Sequence, residues 1–199
     1  MALEDIAMFR TIPGCTIFYP SDAVSCERAV ELSANTNKIA YIRTTKPPTP
    51  VIYPNDKTFR IGEANILRKH DEDQVLVISS GITLVQALKA EEQLTEENLK
   101  VRVMDLFTVL PIDKAGIVVN AKECGGCILT VEDHYAAGGI GEAVLAAVAQ
   151  EVGISVKVVA VPKVPRSGNA EELLDYFGIS ASNIILYIKE LLSNKQNSK

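Results

Sequence analysis

TVEDHYAAGGIGEAV, residues 130–144, decides the fold class of this chain. An apolar β-branched run (ILTV, 128–131) ends in a polar turn of Glu132, Asp133 and His134. Gly138, Gly139 and Gly141 then lead into a helix whose apolar stripe is Ile140, Val144 and Val148. A strand passing through glycines into a helix is the recurring joint of α/β proteins, and such proteins often place chemistry there. Two readings follow. As a site, free amides at the helix start hold an anion, and the two carboxylates and the imidazole work as acid–base groups. As a joint, the glycines let strand and helix pack closely, while the acidic side chains satisfy turn amides or contact a neighbouring domain or subunit. The spacing is GGxG rather than GxGxxG, no phosphate-loop lysine follows, and nothing pairs a nucleophile with His134. The other histidine, His70, lies in the charged run RKHDED, which reads as a solvated loop. The spacing favours the joint.

The same alternation extends outward in both directions. Upstream, QVLVIS (74–79) is a near-continuous apolar run, as in a strand covered on both faces. Gly81 turns the chain, and Leu84, Ala87, Leu88 and Leu94 stripe a helix. Residues 63–67 and 101–105 read as strands, the latter closed by Pro111, and Asp113 caps a helix to about residue 122. Downstream, the joint's helix runs over 140–152, a strand over 156–161, and helices over 170–177 and 183–192. The last carries the stripe Ile184, Ile185, Ile188, Leu191 and Leu192, and 195–199 reads as frayed. The start of the chain has a helix over 3–10, broken at Pro13-Gly14, and a strand over 15–19. Ser21 or Asp22 caps a helix with Ala23, Cys26, Val30 and Ala34 on one face, and a strand follows over 39–43. TTKPPTPVIYP (44–54) holds four prolines in eleven residues and marks a linker or domain boundary. The block before it is short for an α/β domain and reads as the tail of one beginning upstream of Met1.

At 199 residues the chain suits one domain, or one domain and a fragment. A net charge of -5 with scattered cations offers no nucleic-acid footprint. No apolar run is long enough for a membrane span, and MALEDIAMFR lacks the basic flank and apolar block of a signal peptide. Cys124 and Cys127 form a lone CxxC without a second ligand pair, so these and Cys15 and Cys26 read as free thiols of a reducing compartment. Arg43 and Lys46 lie at a strand end and in the loop beyond it, where open α/β sheets gather ligands. Two cations there suit a phosphorylated small molecule, the alternative being ordinary surface charge. Arg166, in VPRSG, has the same possibilities on weaker support. There is no GDG followed by the asparagines of a thiamine-diphosphate motif, no nucleophile elbow, zincin helix or P-loop. No catalytic, cofactor-binding or metal-binding residue is assigned to this chain.

MALEDIAMFR, FYPSDAVSCERAVELSANT, YIRTTKP, ILTVEDHYAAGGIGEAV, VPRSG and ELLDYFGIS resemble, in order and over essentially the whole chain, the C-terminal third of animal-type transketolases. The resemblance implies an α/β protein. Residues 1–50 would be the C-terminal part of a pyrimidine-binding domain and 51–58 a linker. Residues 59–199 would be a transketolase C-terminal domain with a five-stranded mixed, mostly parallel sheet flanked by helices. It implies a cytoplasmic, homodimeric parent enzyme that moves two-carbon ketol units from ketose phosphates to aldose phosphates with thiamine diphosphate and Mg (or Ca). The family's activating glutamate, metal ligands and substrate-contacting His and Asp fall upstream of Met1, so no cofactor is expected on this chain alone. A truncated product and a separate subunit needing an N-terminal partner both fit, and Met1 aligns with an internal methionine of the family pattern. The family's substrate-phosphate arginine falls within 43–46, where the animal pattern IRTSRP is here IRTTKP. Lys46 is thus the expected ligand, with Arg43 its neighbour and alternative. The family's C-terminal domain carries no catalytic group, which makes 130–144 a joint near the dimer contact. Two other readings are a stand-alone binding or regulatory module of this fold, and the beta subunit of a 2-oxo acid dehydrogenase, which YIRTTKP fits less well.

Overall fold

The computed structural model describes residues 2–46 and 48–197, with side chains to residue 195. The N-terminal block supplies α1 (Asp5–Arg10), β1 (Thr16–Phe18), α2 (Ala23–Ala34) and β2 (Ala40–Ile42). After the proline-rich strap come β3 (Asn65–Arg68), β4 (Leu76–Ser79), α3 (Gly81–Glu96), β5 (Arg102–Asp105) and β6 (Thr108–Leu110). The chain then adds α4 (Lys114–Glu123), β7 (Cys127–Val131), α5 (Ile140–Val148), β8 (Ser155–Val159), α6 (Ala170–Tyr176) and α7 (Ala181–Asn197). Among the described residues no helix is long and apolar enough to cross a membrane.

The larger sheet has the order β3-β5-β4-β7-β8. Its edge strand β3 is antiparallel to β5, and the other pairs are parallel, with Leu76 opposite Ile128 at the centre. This is the mixed, mostly parallel five-stranded sheet that the resemblance implies. Every residue of β4 and β7 is buried because helices cover both faces. The period of two divides them. Val77, Leu129 and Val131 face Leu84, Leu94, Ile184 and Ile188 of α3 and α7. Leu76, Ile78 and Ile128 face Ile117, Ile140 and Val144 of α4 and α5. Asp113 caps α4 by accepting from the Gly116 amide at 2.8 Å. Asp22 and Ser25 form a capping box at the start of α2.

Several expectations need adjustment. The strand β6 is missing from the sequence reading, because TVL is shorter than any periodic signal. It pairs antiparallel with β1, giving a second sheet of order β2-β1-β6. The N-terminal block is therefore completed by a strand from beyond the strap. Core packing is shared as well: Ile6, Ile17 and Tyr19 lie in one cluster with Leu76, Ile78 and Ile140. Each such side chain contributes roughly 1.5–3 kcal/mol by leaving water. The strap breaks composition but not packing, since its Tyr53, like Phe59 just beyond it, joins Phe18 and Phe107. In α2 the buried face is Val24, Ser25 and Ala29, while Val30 is exposed. The expected face of Ala23, Cys26, Val30 and Ala34 is therefore not the buried one, because Val24, Ser25 and Ala29 are just as small and pack inward instead. Helix α5 stops at Val148, and α7 runs on to Asn197, where Lys195 reaches the Gly125 carbonyl at 2.9 Å. Residues 198 and 199 of the expected frayed end lie outside the described residues.

Gly81 is where the two blocks meet most closely. Its φ is +59°, and a methyl group there would overlap the Tyr19 ring. Gly81→Ala combines a left-handed backbone penalty with overpacking, on the order of 3 kcal/mol together. Urea denaturation should show that loss; a variant within about 0.5 kcal/mol of the parent would mean that the ring does not seat against α3.

Candidate functional site

The turn 130–144 turns inward. Glu132 sits beneath the start of α5, its Oε2 accepting from the Ile140 amide at 2.6 Å and its Oε1 from the Gly141 amide at 2.8 Å. Burial pushes this carboxyl up to about 8, against the pull of those two amides. The helix start thus already holds a carboxyl of the protein's own, and its Ile140 and Gly141 amides are not free for a ligand. The glycines permit that approach: a side chain at Gly139 would strike Glu132, and one at Gly141 would strike Val158. Gly138 leaves room for Ala7 of α1 in the same way.

Asp133 opens a buried polar seam to the N-terminal block. Its Oδ1 accepts from the Tyr19 hydroxyl at 2.7 Å and from Arg43 Nη1 at 2.9 Å. Arg43 Nη2 also donates to the Asp133 carbonyl at 3.1 Å and to the Ala2 carbonyl at 3.2 Å. Arg43 Nε donates to Asp5 Oδ2 at 3.0 Å, and Tyr41 donates to the same oxygen at 2.7 Å. Burial disfavours the Asp5 carboxylate, but the Tyr41 hydroxyl and Arg43 hold it below the usual range. Burial raises the Asp133 carboxyl despite Arg43, whereas the two carboxylates raise Arg43 against its own desolvation. His134 is fully buried, with Nδ1 2.6 Å from the Tyr135 carbonyl. A carbonyl only accepts, so Nδ1 carries the proton. Its Nε2 lies 3.8 Å from Asp5 Oδ1 and, like Asp133 Oδ2, has no hydrogen-bond partner among the described residues.

A second tie runs through Asp105 at the end of β5. It accepts from the Tyr53 hydroxyl at 2.6 Å and the Ser21 hydroxyl at 3.1 Å, while Ser21 Oγ accepts from the Gly81 amide at 2.8 Å. Burial pushes the Asp105 carboxyl up to about 7.

Arg43 and Lys46 therefore lie in different environments. Arg43 is 4% exposed, with its donors spent on the seam. Lys46 is exposed and lines a cleft of about 400 Å³ beyond the carboxyl ends of β1 and β2, with Thr44 and Thr45 on one wall and Ser21, Asp22 and Ala23 on another. Asp22 is an anion at the same cleft, but its oxygens are directed to backbone amides. Its Oδ1 accepts from the Ser25 amide at 2.8 Å, and its Oδ2 accepts from the Ile52 and Tyr53 amides at 2.8 and 2.9 Å. A cation, two threonines and no unengaged carboxylate suit a small anion.

The remaining candidates stand apart. His70 is half-buried with Nε2 2.7 Å from Glu91 Oε1, so it belongs to a local network rather than an open loop. Cys124 and Cys127 are buried free thiols, and burial pushes Cys124 up to about 11. Arg166 lies over the Tyr176 ring, 3.7 Å from its centroid. Among the described residues no three His, Cys, Asp or Glu side chains converge as a metal donor set. The residues present therefore do not fit a metal–diphosphate group. Sequence reasoning missed Asp5, Tyr19, Tyr41, Tyr53 and Asp105 as polar partners; Asp5 reads only as an acid suited to a helix start.

Residues 62–184 match the family model for the transketolase C-terminal domain, and residues 1–51 match that for the transketolase pyrimidine-binding domain. Transketolase-like protein 2 of Mus musculus is 55% identical over 190 residues, covering 96% of this chain and 30% of that protein. Transketolase of Homo sapiens is 50% identical over 193 residues, covering 97% of this chain and 31% of that protein. Among solved structures, a split gene transketolase in an inactive beta4 tetramer superposes with a TM-score of 0.88 at 30% identity, covering 97% of this chain and 62% of that one. The chain spans about 30% of the length of these curated relatives. The matches do not favour a stand-alone module or a 2-oxo acid dehydrogenase subunit.

Asp105 generates a pH prediction. Its folded value of about 7 exceeds the unfolded value of about 3.9. The folded chain keeps a proton that the unfolded chain has lost, so stability from this group falls as pH rises from about 4 through 7. Asp105→Asn removes that slope. Its urea midpoint relative to the parent should improve between about pH 5 and pH 8; a difference independent of pH contradicts the assignment.

Proposed function

The chain belongs to the transketolase family, and from that premise we propose that it is the C-terminal portion of a cytoplasmic ketol-transferring enzyme. The parent moves two-carbon ketol units from ketose phosphates to aldose phosphates as a homodimer, or with an N-terminal portion as a separate partner. Thiamine diphosphate with a magnesium or calcium ion supplies the carbanion chemistry of that transfer, held by residues other than those described here. The split gene relative supports the division of labour, since its assembly of one subunit type is inactive.

The observation that carries the reading is the exposed cation of the Lys46 cleft, which is in no ion pair among the described residues. Lys46 is exposed beside an Asp22 whose two oxygens are both engaged elsewhere. We assign Lys46 to the phosphate of the sugar substrate. Grip on a remote phosphate orients the reacting end of a flexible sugar, so binding energy is used where no bond changes. A lysine does this as a point charge without the two-pronged geometry of arginine. Arg43, the alternative, serves as scaffold: it holds the strand end from which the Lys46 loop departs.

Ketol transfer restored by mixing this chain with a diphosphate-binding N-terminal portion tests the proposal as a whole; no activity in any such mixture argues against it. In that assembly Lys46→Ala should raise the ketose-phosphate KM by roughly 10-fold or more, the worth of one charge-assisted hydrogen bond. Lys46→Arg should restore it. An unchanged KM in Lys46→Ala, with the defect appearing in a folded Arg43→Ala instead, moves the phosphate to Arg43.

A further inference from the structure

A second cleft, of about 360 Å³, lies at the carboxyl end of the five-stranded sheet, away from Lys46. Its walls come from the segments that follow three neighbouring parallel strands. Ile82 and Val85 stand in the first turns of α3 after β4, Asp133 follows β7, and Val161 and Arg166 follow β8. Leu173 and Phe177, on and just beyond α6, close the far side. The proline strap bounds the near side, and Pro48 and Thr49 are common to both clefts. In parallel α/β sheets this end, where chain segments diverge, is the place that accepts ligands. A largely apolar hollow of a few hundred Å³ with a few placed polar groups is the form such sites take.

The polar groups are unlike one another and sit in different places. Arg166 is exposed, and its guanidinium lies 3.7 Å from the Tyr176 ring centroid. Lys163 lies 4.1 Å from the same centroid. The ring positions both cations without neutralising either. The ion pairs near this end of the chain, Lys157 with Glu190 and Lys189 with Glu97, leave both out. Glu171 and Glu172 begin α6, but neither lines the cleft. Asp133 forms part of the inner wall, but its Oδ1 is taken by Tyr19 and Arg43 and its Oδ2 has almost no accessible surface, so it offers a ligand no acceptor.

We propose that this cleft binds a small organic acid with an apolar body: Arg166 takes the anionic group at the mouth, and the apolar walls of α3 and α6 take the body. The aromatic platform under Arg166 reduces the ordering that binding requires. The site is independent of the Lys46 assignment, because Lys46 does not line it.

Phenylpropionate, its para-hydroxy analogue and phenylpropanol are suitable probes, titrated into the 199-residue chain by calorimetry and amide-shift NMR. The acids should saturate, with shifts centred on Val85, Leu173 and Phe177. The hydroxylated acid should bind no more tightly than phenylpropionate, and phenylpropanol about tenfold more weakly. Arg166→Ala should remove the advantage of acid over alcohol and leave alcohol binding unchanged. Lys46→Ala should change none of these affinities. Val85→Trp fills the hollow and should abolish binding with an unchanged far-ultraviolet spectrum; Leu173→Trp provides the same test if that variant does not fold. Absence of saturation overturns the proposal, as does acid binding indifferent to Arg166→Ala. A hydroxylated acid that binds more tightly than phenylpropionate contradicts the apolar inner wall, and loss on Lys46→Ala instead moves the anion to the other cleft.

Discussion

One guanidinium held between two carboxylates organises this chain. Arg43 comes from the end of β2, Asp5 from the start of α1 and Asp133 from the turn after β7, so three distant segments meet at one buried charge. Taking three charges out of water is expensive, and their mutual attraction offsets that cost only when the geometry is good and the remaining donors are satisfied. Here the geometry is good and one acceptor is left over: Tyr19 and Tyr41 each donate to a carboxylate and two backbone carbonyls accept from Arg43, while Asp133 Oδ2 has no partner among the described residues. A hydrophobic seam could slide or open by degrees. A buried charge that loses one partner has no intermediate arrangement that is cheap, so the seam fixes how the N-terminal block sits on the larger sheet.

Function follows from what the seam leaves outside. Alternate residues of an extended segment face opposite ways, and beyond Arg43 the chain emerges into the strap that carries Lys46 to an open cleft. The strap is itself anchored, by Asp22 through the Ile52 and Tyr53 amides and by Asp105 through the Tyr53 hydroxyl. Clefts lie on both sides of it, one with an exposed lysine and one with an exposed arginine. The acidic turn that looks most like chemistry contributes scaffold to both. Glu132 spends itself on the start of α5, and Asp133 on Arg43.

Much of the fold is legible in the amino-acid order because burial on both faces writes itself as unbroken apolar runs. QVLVIS and ILTV could be little else than central parallel strands, and the long stripes of α3 and α7 face one side of that sheet. Where the signal depends on partners far along the chain, it fails. Strand β6 is three residues long and exists because β1 offers an edge. Helix α2 carries small residues on more than one face, and only the surrounding packing decides which is covered. At the candidate site, the position and type of Lys46 could be read, but the exposure that separates it from Arg43 could not. Asp5 and Asp133 lie 38 and 90 residues from Arg43, and no local pattern records their pairing. Deep burial of His134 is equally silent, since a histidine beside two acids reads the same in a solvated turn.

The central claim is that the acidic turn and Arg43 form a structural seam that makes the two blocks one cooperative unit. The direct measurement is a double-mutant cycle of Arg43→Met and Asp133→Leu, followed by urea denaturation with probes in each block. Each single change should cost roughly 3–5 kcal/mol because it strands a buried charge. The double variant should lose far less than the sum, and both probes should report one transition in the parent. Small additive losses, or separate midpoints for the two blocks in the parent chain, would contradict the account.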